Sequence, residues 1–405
     1  MMTNFHLMAK PAGPSCNLNC TYCFYLEKES LFHEKKTMMP DEVLEAYTEK
    51  YIRSQSFKEI NFAWQGGEPT MAGLDFFRKA LKLQKRFNSG KKISNAIQTN
   101  GTLLTEEWCR FLAKNKFLVG LSLDGPELLH DAYRKSKTGG PTFKKLQRSL
   151  KLLKENNVEY NVLTTVNGKN SKEPLEVYNF LMESGVEYIQ FIPIVERAAD
   201  AKSIELGFTL STPPSKDQQN INLTDWSVES SAYGDFLIAI FNQWVKNDVG
   251  SVFVMNFEWA FSSAIKGVSG ICQFAQKCGN AGIVEHNGDI YSCDHYVYPE
   301  YKLGNIISDD PKVLFQSDQQ TKFGNNKYDG LSKECRDCPV LTLCYGGCPK
   351  HRFIFNREEI HPQNYLCRGY KRFFTHILPY AEMIKTLIDE RKPVTDLMKM
   401  THPVV

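Results

Sequence analysis

No stretch of the chain is apolar and uncharged over the roughly 18 residues that a membrane-spanning helix needs, so no membrane partner is expected. The opening residues MMTNFHLMAKP lack a basic segment followed by an apolar run of about 7–15 residues, and no secretory leader is expected. Charge of one sign is not in excess either. Across 405 residues, 49 basic against 46 acidic side chains leave +3, which gives no general reason to expect nucleic acid. Internal repeats and low-complexity tracts are also missing. These absences point to an ordinary globular protein of the cytoplasm, a reducing compartment where disulfides rarely persist.

What the chain does have is cysteine. Twelve are present, grouped at 16–23, 272–293 and 335–367, with Cys109 alone. Tight cysteine groups without an export signal point to metal or iron–sulfur ligation. Cys109 falls inside a helical pattern and reads as a small buried apolar residue.

The first half alternates β-rich runs with amphipathic stretches. Strands are expected at 5–10, 58–64, 93–98, 117–123, 159–165 and 187–192, and helices at 41–54, 74–87, 105–115, 143–156 and 173–184. Six βα units in succession imply a parallel sheet curled into a partial (β/α)6 barrel, an α/β fold whose site lies beyond the C-terminal ends of the strands. Residues 200–225 turn polar and rich in turn formers, and a helical pattern follows at 229–247. After 270 the chain is cysteine-rich with few periodic runs, so clusters are expected to stand in for part of a core. The expected division is 1–228 (barrel and polar linker), 229–271 (connecting helical segment), 272–370 (cysteine domain) and 371–405 (helical tail).

Cys16, Cys20 and Cys23 form a CxxxCxxC soon after the first strand. Three thiolates can hold three irons of a cube and leave the fourth iron open to an outside ligand. A zinc site with a fourth ligand such as His33 is the plainer alternative. Gly66, Gly67, Glu68 and Pro69 follow the second strand, and Ser122-Leu-Asp124-Gly125 ends the fourth, with Arg134 beyond. Together these motifs resemble the radical S-adenosylmethionine (SAM) superfamily over about residues 1–195. The resemblance implies a [4Fe–4S] cluster on Cys16, Cys20 and Cys23 whose open iron chelates SAM, with Tyr22 preceding the last ligand. It implies SAM contacts from Gly66, Gly67, Glu68, Ser122, Arg134 and, near the adenine, Val195.

Eight further cysteines allow two four-thiolate sites, and spacing alone does not divide them. Zinc ribbons could also use eight, but they favour pairs of CxxC, and only Cys335–Cys338 has that spacing here. The run resembles the SPASM domain, an auxiliary-cluster module of radical SAM peptide modifiers. That likeness implies one cluster on Cys272, Cys278, Cys293 and Cys348 and another on Cys335, Cys338, Cys344 and Cys367. With SAM, the expected cofactors are therefore three [4Fe–4S] clusters.

Within that group the chain resembles the anaerobic sulfatase-maturating enzymes, because Cys293 is followed at once by Asp294. The resemblance implies oxidation of a cysteine or serine to formylglycine in a sulfatase Cys/Ser-x-Pro/Ala-x-Arg motif. Asp294 would be the base, the auxiliary clusters electron acceptors, and a ferredoxin or flavodoxin the donor. Tyr25, Gln65 and the run Tyr291–Tyr298 could wall the peptide pocket or simply pack the core, and His295 reads as structural. A thioether- or carbon–carbon-forming peptide modifier is the alternative enzyme. An electron carrier is a weaker one, since a carrier has no use for an open iron.

Anaerobic reconstitution should load about twelve irons per chain. Replacing Cys16, Cys20 and Cys23 together by Ala should leave about eight irons and abolish SAM cleavage, read by iron assay and chromatography.

Overall fold

The protein is described by a computed structural model covering residues 5–32, 38–213, 221–355 and 360–400. His33 and residues 214–220 of the polar stretch lie outside the described residues. Six strands form where the β-rich runs were expected: β1 His6–Ala9, β2 Glu59–Trp64, β3 Lys92–Thr99, β4 Phe117–Ser122, β5 Tyr160–Val166 and β6 Tyr188–Pro193. They pair in parallel in sequence order. Helices cover the outer face at Asp41–Ser54, Gly73–Phe87, Glu106–Lys114, Phe143–Glu155 and Pro174–Glu183. Each turns an apolar stripe to the sheet; Leu146, Leu150 and Leu153, for example, are buried on one face of their helix. Thr105 caps its helix by accepting from the Trp108 amide.

The sheet is open, and it is longer than six strands. β7, Phe253–Val254, adds to β6 at one edge. At the other edge β8 (Ala281–Val284) runs parallel to β1, and β9 (Asp289–Tyr291) and β10 (Lys302–Asn305) continue antiparallel, giving this sheet ten strands among the described residues. The cysteine-rich half is thus partly built into the barrel sheet. One hydrophobic core cluster takes in residues from Phe5 to Leu397, with members from all four expected segments. The polar stretch is also less loose than its composition suggests. Bridges join Arg197 to Leu223 and Ala198 to Leu210, and the Glu27 carboxylate accepts from the Thr209 and Leu210 amides. No described helix is long and apolar enough to cross a membrane.

The last helix, Cys367–Asp389, starts at a cysteine and packs on Ser230–Asn247 through a glycine contact. The Gly369 amide donates to Ser230 Oγ at 3.2 Å. A Cβ on Gly369 would lie 2.0 Å from the Ser230 carbonyl oxygen, and one on Gly234 would lie 2.7 Å from Gly369. Ala at a helical Gly ordinarily gains about 0.5–1 kcal/mol. Here the backbone contact reverses the sign, because forcing the helices apart costs about 1–3 kcal/mol. Gly369→Ala should therefore lower the melting temperature of the holoprotein by about 1–4 °C. Calorimetry showing an unchanged or higher melting point would mean that the two helices are free to slide.

Candidate active site

The loops leaving β1 and β2 are bonded to each other. The Gly67 and Glu68 amides donate to the carbonyls of Gly13 and Ser15, each at 2.8 Å. A Cβ on Gly67 would fall 2.0 Å from the Ser15 oxygen, so only glycine permits this approach one residue before Cys16. Gly66 takes a positive φ of 135° in the same turn. Glu68 is wholly buried, and its carboxylate accepts from the Thr70 amide and hydroxyl, the Thr99 hydroxyl and the Asn100 amide at 2.5–3.0 Å. Burial pushes this carboxyl up, against four donors that favour its ionised form. Its oxygens are spent on tying the loops after β2 and β3 together.

The cysteine loop is held from two sides. Asn17 bonds Thr102 at 2.8 Å and Asn100 at 3.0 Å, while Asn19 and Thr21 donate their amides to the carbonyls of Lys135 and Tyr133. Asp124 is the hub below: one oxygen accepts from Tyr22 Oη at 2.5 Å and Arg134 Nε at 3.0 Å, the other from the Thr165 amide. Tyr22 and Arg134 are thereby brought together, with the guanidinium 5.5 Å over the phenol ring. Nearby, Ser122 Oγ accepts from Gln98. Asp124 and Gln98 were not singled out by sequence; Asp124 stood in view at a strand end, but only the fold shows which partners it reaches.

The cysteines other than Cys109 fall into three sets. Cys16, Cys20 and Cys23 lie close enough to oppose one another's ionisation. So do Cys272, Cys278, Cys293 and Cys348. Cys335, Cys338, Cys344 and Cys367 line one cavity with Val340, Leu341 and Gln363. Burial pushes Cys16 to about 11 and Cys20 to about 12, so iron would have to displace the protons. Among the described residues no three Cys, His, Asp or Glu side chains converge as they would on a single metal ion. Thiolate groups of three, four and four match the donor sets that one cube with an open iron and two fully ligated cubes would take. Cys109 is fully buried in the core.

Asp294 follows β9 and faces the loop after β1. Its Oδ1 is 2.5 Å from Lys10 Nζ; Lys10 is 1% exposed and Asp294 20% exposed. Burial pushes this carboxyl up, but Lys10, His295 and Lys350 outweigh it and hold it below the usual range. Val195 lines a cavity with Glu196, Arg197, His295, Tyr298 and Lys350. Lys350 is ion-paired to Glu196, and buried Lys28 stacks 3.3 Å over the Tyr298 ring, where burial lowers it to about 7. Of the suggested pocket aromatics, Tyr25 and Tyr291 are buried in a small cluster with Ile283 and Val297. Sequence reasoning passed over Lys10; a charged residue closing an apolar barrel strand was the available signal.

The comparisons agree with this geometry. The Radical SAM superfamily profile matches residues 11–181, and the SPASM profile, an iron–sulfur cluster-binding domain, matches 275–339. A serine-type anaerobic sulfatase-maturating enzyme of Bacteroides thetaiotaomicron is 43% identical over 97% of this chain and 94% of its own. A cysteine-type counterpart from Clostridium perfringens is 34% identical over 93% and 97%. The solved structure of native anSMEcpe with bound AdoMet and Cp18Cys peptide superposes with a TM-score of 0.81 at 33% identity, covering 95% of this chain and 99% of that one. Streptococcus suis SuiB shares the fold, with a TM-score of 0.62 at 14% identity. A cysteine loop and a glycine turn locked together at one mouth of an open barrel sheet accompany these full-length likenesses, and the chain belongs to the anaerobic sulfatase-maturating enzymes of the radical SAM superfamily.

Proposed function

We propose that the protein oxidises a serine or cysteine of a sulfatase Cys/Ser-x-Pro/Ala-x-Arg motif to formylglycine without oxygen, with Asp294 as the base. The observation that carries this reading is Asp294 itself, an acid next to Cys293 whose carboxylate is held by Lys10 beside the cysteine loop. Cys16, Cys20 and Cys23 would hold the SAM-binding cluster, and the eight C-terminal cysteines two auxiliary clusters, in the sets given above. When bound, these groups would supply a hydrogen-abstracting radical from SAM, generated with one electron from a ferredoxin- or flavodoxin-type donor, and a sink for the electron left on the substrate.

The chain's own residues do the rest. Residues 1–228 form the SAM site, 229–271 join it to the auxiliary-cluster region 272–370, and 371–405 are the tail. Gly66 and Gly67 let their turn close on the residues before Cys16 and offer its backbone to SAM, with Glu68 bracing the turn from inside. Arg134, fixed at Nε by Asp124, keeps its terminal nitrogens for a carboxylate, and Ser122 offers a hydroxyl. Val195 borders the adenine side. Asp294 accepts the hydroxyl or thiol proton at a carboxylate oxygen while the aromatic walls, Phe24 and Tyr298 among them, keep water away.

Serine is the first side chain to test, since the 43% relative carries the serine-type name. Asp294→Asn retains an oxygen for Lys10 and leaves Cys293 in place, so iron content and SAM binding should match the wild type. Formylglycine formation on a serine peptide, followed by mass spectrometry, should fall about 10²–10⁴-fold. A cysteine peptide should lose less, because a thiol with pKa near ~8.5 releases its proton more readily than an alcohol. Near-normal rates on both peptides would remove Asp294 from the base role.

A further inference from the structure

Lys10 is a nearly inaccessible charged side chain whose part in the reaction the steps above leave open. Its amide donates to the Val284 carbonyl at 2.9 Å, continuing the β1–β8 ladder. Its stem runs along the glycine turn: a Cβ on Gly66 would come 3.3 Å from Lys10 Cδ and 3.5 Å from its Cβ. Its ammonium lies 4.2 Å from the centre of the Tyr25 ring, whose hydroxyl donates to the buried Glu285 carboxylate. Among the described residues the ammonium has one carboxylate partner, Asp294 Oδ1. Asp294 Oδ2 carries no hydrogen bond there and is not a sealed-off atom.

A carboxylate on a short side chain can turn about two bonds. The Lys10 contact takes one oxygen, and the ring face of Tyr25 closes one side of the ammonium, so the pair has one favourable arrangement. Resting on the base reading of Asp294, we propose that Lys10 is a positioning residue. It pins Oδ1 so that Oδ2 is presented to the substrate proton, and through its stem it ties the base to the glycine turn of the SAM site. The proton leaves the substrate hydroxyl or thiol for Oδ2, and Lys10 keeps its own protons.

The test uses the reconstituted three-cluster enzyme with SAM and a substrate peptide, comparing Lys10→Met, Lys10→Arg, Asp294→Asn and the Lys10→Met/Asp294→Asn double variant. Iron content and SAM affinity should stay at wild-type levels throughout. For Lys10→Met, kcat for formylglycine should fall about 10–100-fold with KM for the peptide changed by less than about 3-fold, as for a misplaced group. The ratio of 5′-deoxyadenosine to formylglycine should rise, and Lys10→Arg should recover much of the loss. The double variant should be no slower than Asp294→Asn, because the two residues act as one unit. In holoenzyme melting, Asp294→Asn should relieve the destabilisation caused by Lys10→Met, since it removes the stranded charge.

If Asp294→Asn is crippled while Lys10→Met keeps kcat within about 2-fold, the positioning role is overturned and the base reading stands. A fully active Asp294→Asn would instead bring down the base reading, and the positioning role with it. Should Lys10→Met lose iron, the double variant decides. A rate equal to that of Asp294→Asn supports the proposal, and a further drop of about 10-fold or more overturns it.

Discussion

The site depends on the pairing of β1 with β8. His6 to Ala9 run beside Ala281 to Val284 in parallel register, and the Lys10 amide extends the ladder to Val284. The loop after β1 carries the first cysteine group, and β9, which returns antiparallel beside β8, leads into Cys293 and Asp294. A parallel pair cannot be joined by a short turn. Here the connection between the two strands is nearly the whole barrel. The sheet is therefore the device that brings the Cys16–Cys23 loop and the Cys293–Asp294 pair to the same region.

A second constraint is the concentration of buried polar groups at that face. Glu68, Asp124 and Lys10 are each almost inaccessible. Each would be costly alone, since an unpaired buried charge loses its hydration with nothing in return. Glu68 is satisfied by four donors, Asp124 by Tyr22, Arg134 and the Thr165 amide, and Lys10 by Asp294. Such networks have few good alternative arrangements, so they fix loop positions that apolar packing would leave adjustable. The loops after β1, β2, β3 and β4 are linked in this way into one rigid rim.

Much of this was legible in the sequence, for physical reasons. Runs such as 117–123 and 187–192 are β-rich and bounded by turn formers, and 143–156 carries a clean helical stripe, so six βα units could be read directly. The cysteine spacing pointed to an iron–sulfur-binding family because thiols grouped this tightly have few other uses. The additions to the sheet were not readable: β7 is two residues long and β9 three, too short to show any period. Partners far apart were hidden as well. Lys10 and Asp294 are 284 positions apart, and nothing local in KPAG or CDHY announces that they meet. Tyr25 and Tyr291 could have been pocket or core, and only the packing shows both rings turned inward.

The β1–β8 ladder also sets an order of events during synthesis. β1 shares a single residue pair with β2, Ala9 with Trp64, and four with β8. Until residue 284 has left the ribosome, β1 has only its weaker neighbour and an open edge. The loop with Cys16, Cys20 and Cys23 hangs from that unfinished strand while more than half of the protein is already made. Six βα units can assemble early from neighbouring contacts, but this loop gains its frame only near the end. A ligand offered to Cys16, Cys20 and Cys23 before that point meets a tether; one offered afterwards meets a socket.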